Sequence, residues 1–596
     1  MLSGRRRTSS CLGLAAITVV LASAPARAAG SKYSAYERDT IRRVLARDHG
    51  HIDPHPEGKI IERIDVVPLG VFDESDPVPD FFNVFHVTTR KQVVRRELLF
   101  DTGRPYDTDR VEESARNLRD LRQLSLVLIV PVRGSRPDHL RVVVITKDVW
   151  SLRLNTDFGV SNGTLDYLVL QPSEINWFGT HNAVSGLLVL KPDTFSLGGA
   201  FEDPRIAGSR IEGSFGGNLI VNRHTGRAEG SFGSFYYGQP LYSLKAKWAW
   251  DTTVLWRTEV TRLFVGGNER TYDAVATPAD DVIPYEYKSD LWYGDYELTR
   301  SFGHGLKQDL SVGMEAYRRR FHATDLSGFD PRAAREFTGT QVPVSDTRIS
   351  PYVQLHAHTS RFLRVHDFNT LGLEEDYSLG HDILARVYPA SRALGSSRTL
   401  LGTYLSASYT APLGDGLVRV LGSSQVELAA HRGTDALFKA RTRVVSPSLG
   451  PGRLVYDAVL ADHEKNYLRQ RFTLGGNTRL RGYPIDSFLG QDLVAGSLEF
   501  RTRAAELLSA QLGGVLFYDA GDAFDGFANL RPKQDAGVGI RMLFPQADRI
   551  VFRVDWGFPL TRGYRTFPGA AYFTFGQAFP MPGVTPPNVT TTDLTK

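Results

Sequence analysis

From Trp150 to Phe579 the chain is a succession of short segments in which apolar or aromatic residues alternate with polar or charged ones, broken by Gly, Asn, Asp and Pro turns. Period-two alternation sends successive side chains to opposite faces of a strand. In LYSLKAKWAWD, Tyr242, Leu244, Ala246, Trp248 and Trp250 face one way, and Ser243, Lys245, Lys247 and Asp251 the other. In RIVFRVDWG, Ile550, Phe552, Val554 and Trp556 oppose Val551, Arg553 and Asp555. A two-sided soluble sheet also alternates, but aromatic residues on one face and charges on the other suit lipid outside and water inside. With 23% charged residues and a mean hydropathy of -0.23, the chain offers no apolar run after its first residues that could cross a bilayer as a helix of about 18 residues or more. A closed barrel is then the remaining way to span a membrane. The 56 glycines and 24 tyrosines fit turns and aromatic girdles. A net charge of +4 over 596 residues is no nucleic-acid footprint.

The start of the chain reads as a secretory signal peptide over residues 1–28. Arg5, Arg6 and Arg7 form a basic region, Leu12 to Leu21 an apolar one, and Ala26-Arg27-Ala28 a cleavage site. The single cysteine, Cys11, precedes the apolar run, so it is not a lipid-bearing Cys and would leave with the signal. No disulfide or Cys-based metal site is expected in the mature chain.

Residues 29–57 form an N-terminal extension in which Tyr36 to Asp48 can make one amphipathic helix through Ile41, Val44 and Leu45. His49, His51 and His55 stand beside Asp48 and Asp53 at a spacing loose enough to admit a metal, although a Pro/Gly-rich solvated linker explains them without one. Residues 58–147 then follow a β-α-α-β-β order. Lys59 to Val67 is a β-branched run. Thr89 and Gln92 suggest a capping box for a helix from Arg90 to Leu99, ended by Gly103. A second helix presents Val111, Ala115, Leu118 and Leu121 on one face, and LSLVLIVPV and LRVVVITKDV make a hairpin around Gly134 and Pro137.

The last quarter adds charges that a lipid-facing pattern does not need. A polar loop, NTRLRGYPIDSFLG, runs into AGSLEFR and then into GVLFYDAGDAF, which places Arg481, Glu499 and Asp519 in a Gly-rich alternating background. This order resembles the BamA/TamA-like outer-membrane assembly superfamily, in which an R-G-F/Y loop tip folds back into the barrel to meet acidic residues of G-x-x-E and F-x-D-x-G strands. SEINWFGTHNAV and FEDPRIAGSR are similar to two further segments of that family. The β-α-α-β-β region, with LLFDTGRPYD between its helices, looks like one polypeptide-transport-associated (POTRA) domain.

The resemblance implies an all-β membrane protein: a 16-stranded antiparallel transmembrane barrel of the bacterial surface antigen type over residues 148–579, one small α+β POTRA domain over 58–147, and a polar tail over 580–596. That would leave roughly 27 residues for each strand with its connection, enough for strands of about 9 to 11 residues. It also implies a lid-loop motif at Arg481, Gly482 and Tyr483 with lumen partners Glu499 and Asp519. The fork of an arginine can engage two carboxylates where a lysine cannot. AAYFTFGQAF resembles the family's closing strand, with Phe573, Phe575 and Phe579 at period two and Gly576 weakening a seam with the first strand, near Val149 to Val160. The expected function is insertion and assembly of other outer-membrane proteins through that seam, with the POTRA domain in the periplasm. Expected partners are the outer-membrane bilayer, unfolded outer-membrane client proteins, and periplasmic chaperones or accessory lipoproteins, with no nucleic acid. A secretion pore for an exoprotein, or a passive channel or surface antigen, uses the same barrel.

Catalytic readings are thin. Gly159-Val160-Ser161-Asn162-Gly163 matches G-x-S-x-G but lacks a strand-elbow-helix context, and a Gly/Asn hairpin turn explains it. His356 and His358 share one strand face and could chelate a metal, but read most simply as lumen imidazoles beside Gln354. No enzyme activity, cofactor or metal is expected.

Overall fold

A computed structural model describes residues 33–576 other than 34, 48, 72–85, 304, 430–432, 508–509 and 545–549. The leader, Asp48, Phe579 and the 580–596 tail lie outside the described residues. Among the described residues no helix is long and apolar enough to cross a membrane.

The N-terminal domain is a three-stranded sheet with His139–Asp148 at its centre, Ile60–Leu69 parallel on one side and Leu124–Arg133 antiparallel on the other. Helices Lys91–Glu97 and Thr108–Arg119 cover one face through Val94, Val111 and Leu118, packed on Ile61, Leu140 and Val142. Helix Ala35–Ala46 covers the other face, setting Ile41, Val44 and Leu45 on Leu128, Val130, Val143 and Ile145. Burial on both faces is why the central strand is a continuous apolar run instead of an alternating one. The segment after the first helix is pinned to the sheet edge, where Asp53 N–H donates to Pro131 O and Arg133 N–H to His51 O. Asp53 accepts from Lys59 Nζ at 2.6 Å and from His55 N–H at 3.0 Å, so this stretch is a bonded turn of the domain and not a solvated linker. The Lys59 ammonium bonded to it holds the Asp53 carboxyl below the usual range.

Two local expectations fail here. The first helix of the pair runs from Lys91 to Glu97, shorter than Arg90 to Leu99, and its N-cap Arg90 makes no side-chain cap bond. Thr89 is drawn elsewhere: its N–H donates to Asp148 at 2.7 Å and its hydroxyl meets His181 Nε2 at 3.0 Å. A tertiary partner outcompetes the local capping box.

The remainder is a closed antiparallel meander from Leu152–Ser161 to Ala570–Phe575. Among the described residues twenty-two segments form its wall, and two of them, Arg361–His366 and Ala505–Leu507, continue Asp346–Thr359 and Asp492–Thr502 across a break, leaving 20 strands and not 16. Connections as short as Asn162-Gly163, both at positive φ between Leu152–Ser161 and Thr164–Trp177, let more strands fit the same length. That turn also accounts for the G-x-S-x-G match, with Ser161 Oγ donating to Asp166 at 2.8 Å. LYSLKAKWAWD is not one strand, because the strand begins at Trp248 and the residues before it form a turn. The first strand likewise begins at Leu152, not Val149.

Elsewhere alternation sorts residues as lipid and lumen require. Leu310, Val312 and Met314 are exposed outward while Asp309, Ser311 and Glu315 are buried inward. Val353 and Leu355 point out while Arg348, Tyr352 and Gln354 point in. Inward charges on neighbouring strands pair with one another: Arg348 bonds Glu315 and Glu427, and Arg398 bonds Asp346 at 2.9 Å and Glu427 at 2.5 Å.

The N-terminal domain sits at one end of the barrel, here called proximal. Glu97 accepts from Arg205 Nε and Nη2 at 2.7 and 2.6 Å and from Arg210 at 3.1 Å. Both arginines belong to FEDPRIAGSR, in the turn after strand Thr194–Asp203. Asn117 donates to Tyr242 O at 3.1 Å, Leu244 N–H to Glu113, and Gln123 to Ile175 O at 2.9 Å. A hairpin of the wall also closes this end. Beyond Thr359 and before Gly380, residues 361–366 and 374–379 pair only with each other, and the tip sets Phe368 and Val365 on the inward Leu417, Val445 and Val455. Arg501 donates to Phe368 O at 2.8 Å, and Arg119 of the N-terminal domain bonds Asp376 at 2.8 Å.

Candidate functional site: the Arg481 loop and the barrel seam

The loop joining strands Gly452–Asn466 and Asp492–Thr502 lies at the distal end, opposite the N-terminal domain, and turns inward. Its arms pair briefly as Phe472–Leu474 with Phe488–Gly490. Positive φ at Gly475, Gly476, Leu480 and Asp486 bends the tip. Leu474, Leu480, Tyr483 and Phe488 then bury against Ala461, Leu493, Ala495 and Ala523 of the wall.

Arg481 is fully buried, at 0% exposure. Its guanidinium forks onto Asp519, with Nε to Oδ2 and Nη2 to Oδ1 both 2.9 Å. Nη1 donates to Glu499 at 2.6 Å and to Asp555 at 3.1 Å, Nη2 to Ser497 at 3.1 Å, and the group lies 3.6 Å from the centroid of Phe517. The structure therefore brings Arg481, Glu499 and Asp519 together. Asp555 is a third carboxylate partner that the loop-and-strand motifs did not name, although its place on the inward face of RIVFRVDWG made it legible. Around them Arg501 bonds Glu499 at 2.7 Å, and Arg541 and Arg553 bond Asp555 at 2.6 and 3.1 Å. Removed from water, such charges are tolerated only when mutually paired.

Gly482 is needed for approach. A Cβ there would lie 2.7 Å from Asp535 Cβ, 2.9 Å from the Phe558 carbonyl carbon and 3.0 Å from Pro559 N. Tyr483 fills the next space, its hydroxyl donating to Gln534 O at 2.9 Å and its ring meeting Phe488 and Tyr564 edge-on.

The seam lies beside this loop. The last strand pairs with the first only at Ala570↔Ser161, Ala571↔Val160, Tyr572↔Gly159 and Phe573↔Phe158. The Phe158 and Phe573 rings stack at 4.2 Å. Among the described residues, 152–157 of the first strand have no strand partner on that side, and Leu152 and Leu154 are about 60% exposed. Phe575 ends the last strand opposite Phe552, and Gly576 follows at φ +89 with nothing near a would-be Cβ. A side-chain-bearing residue would resist this left-handed backbone conformation.

Hydrogen bonds join loop and seam. Tyr572 Oη donates to Tyr483 O at 2.7 Å, and Arg553 to Asn477 O at 2.7 Å. Asn477 donates to Tyr167 Oη at 3.0 Å, Tyr167 to Asp157 at 2.6 Å, and Thr574 also to Asp157 at 2.8 Å. Tyr572, Tyr167 and Asp157 carry no motif, and only the closure of first strand on last reveals them.

Residues 386–579 match the Omp85 superfamily domain. No curated protein matches. Among solved structures the chain is similar to BamA from Haemophilus ducreyi lacking POTRA domains 1-3, at 13% identity over 92% of this chain and 94% of that one with a TM-score of 0.33. It is similar to CdiB from Escherichia coli at 11% identity over 91% and 84% with a TM-score of 0.44, and to CdiB from Acinetobacter baumannii at 9% over 87% and 74% with 0.36. The matched stretch, about the last third of the chain, spans the inward loop, its three carboxylate partners and the last strand, and this part of the chain is an Omp85 superfamily domain.

Proposed function

We propose that this outer-membrane barrel inserts and assembles other outer-membrane proteins by offering the free edge of its first strand to an unfolded client. The observation that carries the reading is that, among the described residues, the seam has four residue pairs beside six first-strand residues with no partner on that side. Neighbouring strands pair far more extensively, as in the 16-pair register between Glu286–Phe302 and Leu306–Ala323. At a net 0.5–1.5 kcal/mol per backbone hydrogen bond, the seam is worth a few kcal/mol, roughly what a client strand could replace by β-augmentation. An exposed edge is otherwise a liability, which argues for its use. The N-terminal domain, read as a POTRA domain in the periplasm, stands at the proximal mouth next to the start of that edge. It would receive clients there, directly or from chaperones and accessory lipoproteins, and no catalytic chemistry is required.

The test is a disulfide between cysteines placed at Phe158 and Phe573, which are register partners. With the seam locked, assembly of client barrels should stop while the protein itself stays folded in the membrane. Normal client assembly with complete crosslinking would reject the seam as the route. Depletion followed by quantification of outer-membrane and secreted proteins separates the alternative: broad loss of barrels supports insertion, and loss of one secreted protein supports a pore.

A further inference from the structure

Inside the proximal half of the lumen, Asp309 on Leu306–Ala323 is the register partner of His356 on Asp346–Thr359, and His358 lies one pleat further along. The Nδ1 atoms of His356 and His358 stand 4.0 and 3.9 Å from Asp309 Oδ2, with the imidazoles stacked at 4.7 Å. All three donor atoms fall within 4.8 Å of one another. A zinc-type ion takes nitrogen and oxygen at about 2.0–2.2 Å, so the donors need close by only about an ångström to hold one.

Two further features point to a ligand. Asp309 is 5% exposed, and its Oδ1 and the Nδ1 of His358 are buried with no hydrogen-bond partner. His356 Nε2 donates to Asp382 at 2.7 Å, which fixes the ring and turns the Nδ1 lone pair toward Asp309. A carboxylate behind a histidine in this way is the outer support that metal-ligating imidazoles commonly carry. The ammonium of Lys307, which lines the same cavity, is engaged with Leu244 O at 2.7 Å. The three donors border a cavity of about 340 Å³ under the N-terminal domain, which leaves a coordination position open.

We propose that Asp309, His356 and His358 bind a divalent transition-metal ion of the zinc, nickel or copper class, with an open position facing the proximal cavity. Two imidazoles and a carboxylate suit these ions better than magnesium or calcium, which prefer all-oxygen shells.

The test uses the full chain in detergent, without a polyhistidine tag and stripped by chelator, titrated calorimetrically with Zn²⁺ and with Mg²⁺. One Zn²⁺ per chain should bind at submicromolar affinity, with no Mg²⁺ heat. Asp382→Asn should weaken binding about 10- to 100-fold through the outer support, and His356→Ala/His358→Ala should abolish it. The triple variant His49→Ala/His51→Ala/His55→Ala should leave it unchanged. X-ray absorption at the zinc edge should report two imidazoles. His356→Gln/His358→Gln, checked for heat-modifiable barrel mobility, separates lost binding from misfolding. Absence of submicromolar Zn²⁺ binding, its survival in the folded double variants, or its loss in the triple variant would overturn the site.

Discussion

Replacing Arg481 by alanine isolates the contact that holds the loop inside the barrel. Its three carboxylates do not lose equally. Glu499 keeps Arg501 at 2.7 Å, and Asp555 keeps Arg541 at 2.6 Å and Arg553 at 3.1 Å. Asp519 keeps only the Ser497 hydroxyl and the backbone N–H of position 481 at 3.3 Å. The variant therefore leaves one buried carboxylate short of its cation, a loss of about 3–5 kcal/mol for a desolvated pair and under about 1 kcal/mol for a hydrated one. At 1.4 kcal/mol per decade, the population with the loop withdrawn should rise by roughly two to three and a half decades if the pair is desolvated. Limited proteolysis of the Thr478 to Leu489 stretch, under conditions where opening is fast relative to cleavage, reads that population directly. Arg481→Lys should recover part of the loss, since an ammonium makes no two-point fork. Arg481→Ala with Asp519→Ala should be more protected than Arg481→Ala alone, because the orphaned charge is gone. The strand ladder does not depend on this loop, so all variants should still insert as barrels. Wild-type loop protection in Arg481→Ala, or no recovery in the double variant, would show that the cluster is hydrated and that the loop is held by its apolar contacts.

Gly482→Ala should displace the same loop by steric means, at about 1–3 kcal/mol, because the Cβ would meet rigid backbone of Phe558 and Pro559; unchanged proteolysis would refute the close approach. Glu97→Gln should loosen the N-terminal domain from the barrel by about 1–3 kcal/mol through its bonds to Arg205 and Arg210, read as faster hydrogen exchange over residues 113–120 and 241–247; unchanged exchange would place the docking energy elsewhere. His181, in a proximal turn against Thr89, is pushed down to about 4 from 6.5 by burial, against the opposing pull of Asp148 and Glu97. The undocked state then binds more protons between those values, so docking is fully stabilised above pH 6.5 and weakens as pH falls toward 4, by on the order of 2 kcal/mol at pH 5. Hydrogen exchange at pH 5 and 7.5 should show this, and His181→Gln should remove the difference; a persistent difference would assign it to other groups.

Alternation was legible because it rests on spacing within single strands, and the Arg481, Glu499 and Asp519 series because its loop and strand segments resemble those of the BamA/TamA-like family. What was not legible rests on register between strands. Strand number depends on which polar clusters are two-residue turns, and Asn162-Gly163 looks no different in sequence from a longer break. The alternation of LYSLKAKWAWD continues through a turn because Leu244 and Tyr242 are held by Glu113 and Asn117, far away in the chain. Thr89 left its helix for His181, 92 residues on. Asp309 joins His356 only through a pairing set across the 324–345 loop. Periodicity reports a residue's face; it is silent on the neighbour across the ladder.

A passage through the lumen and an opening at the seam make different demands on this barrel. Passage requires the Arg481 loop to leave its buried carboxylates, the 361–379 hairpin to leave Leu417, Val445 and Val455, and the N-terminal domain to give up Glu97 and Arg119 contacts. The loop closes the distal end and the other two close the proximal end, where Arg119 ties the domain to Asp376 of the hairpin and Arg501 ties the hairpin to Glu499, so passage has to break a coupled set of contacts at both ends. The seam has four register pairs to break, and its polar supports run through the loop: Tyr572 of the last strand is bonded to Tyr483, and Asp157 of the first strand is reached from Asn477 through Tyr167. Withdrawing the loop therefore removes bonds from both sides of the seam at once and leaves the proximal closures intact. A single displacement at the distal end thus weakens the lateral exit while the lumen stays plugged, which is the order of events that lateral insertion needs and luminal passage does not.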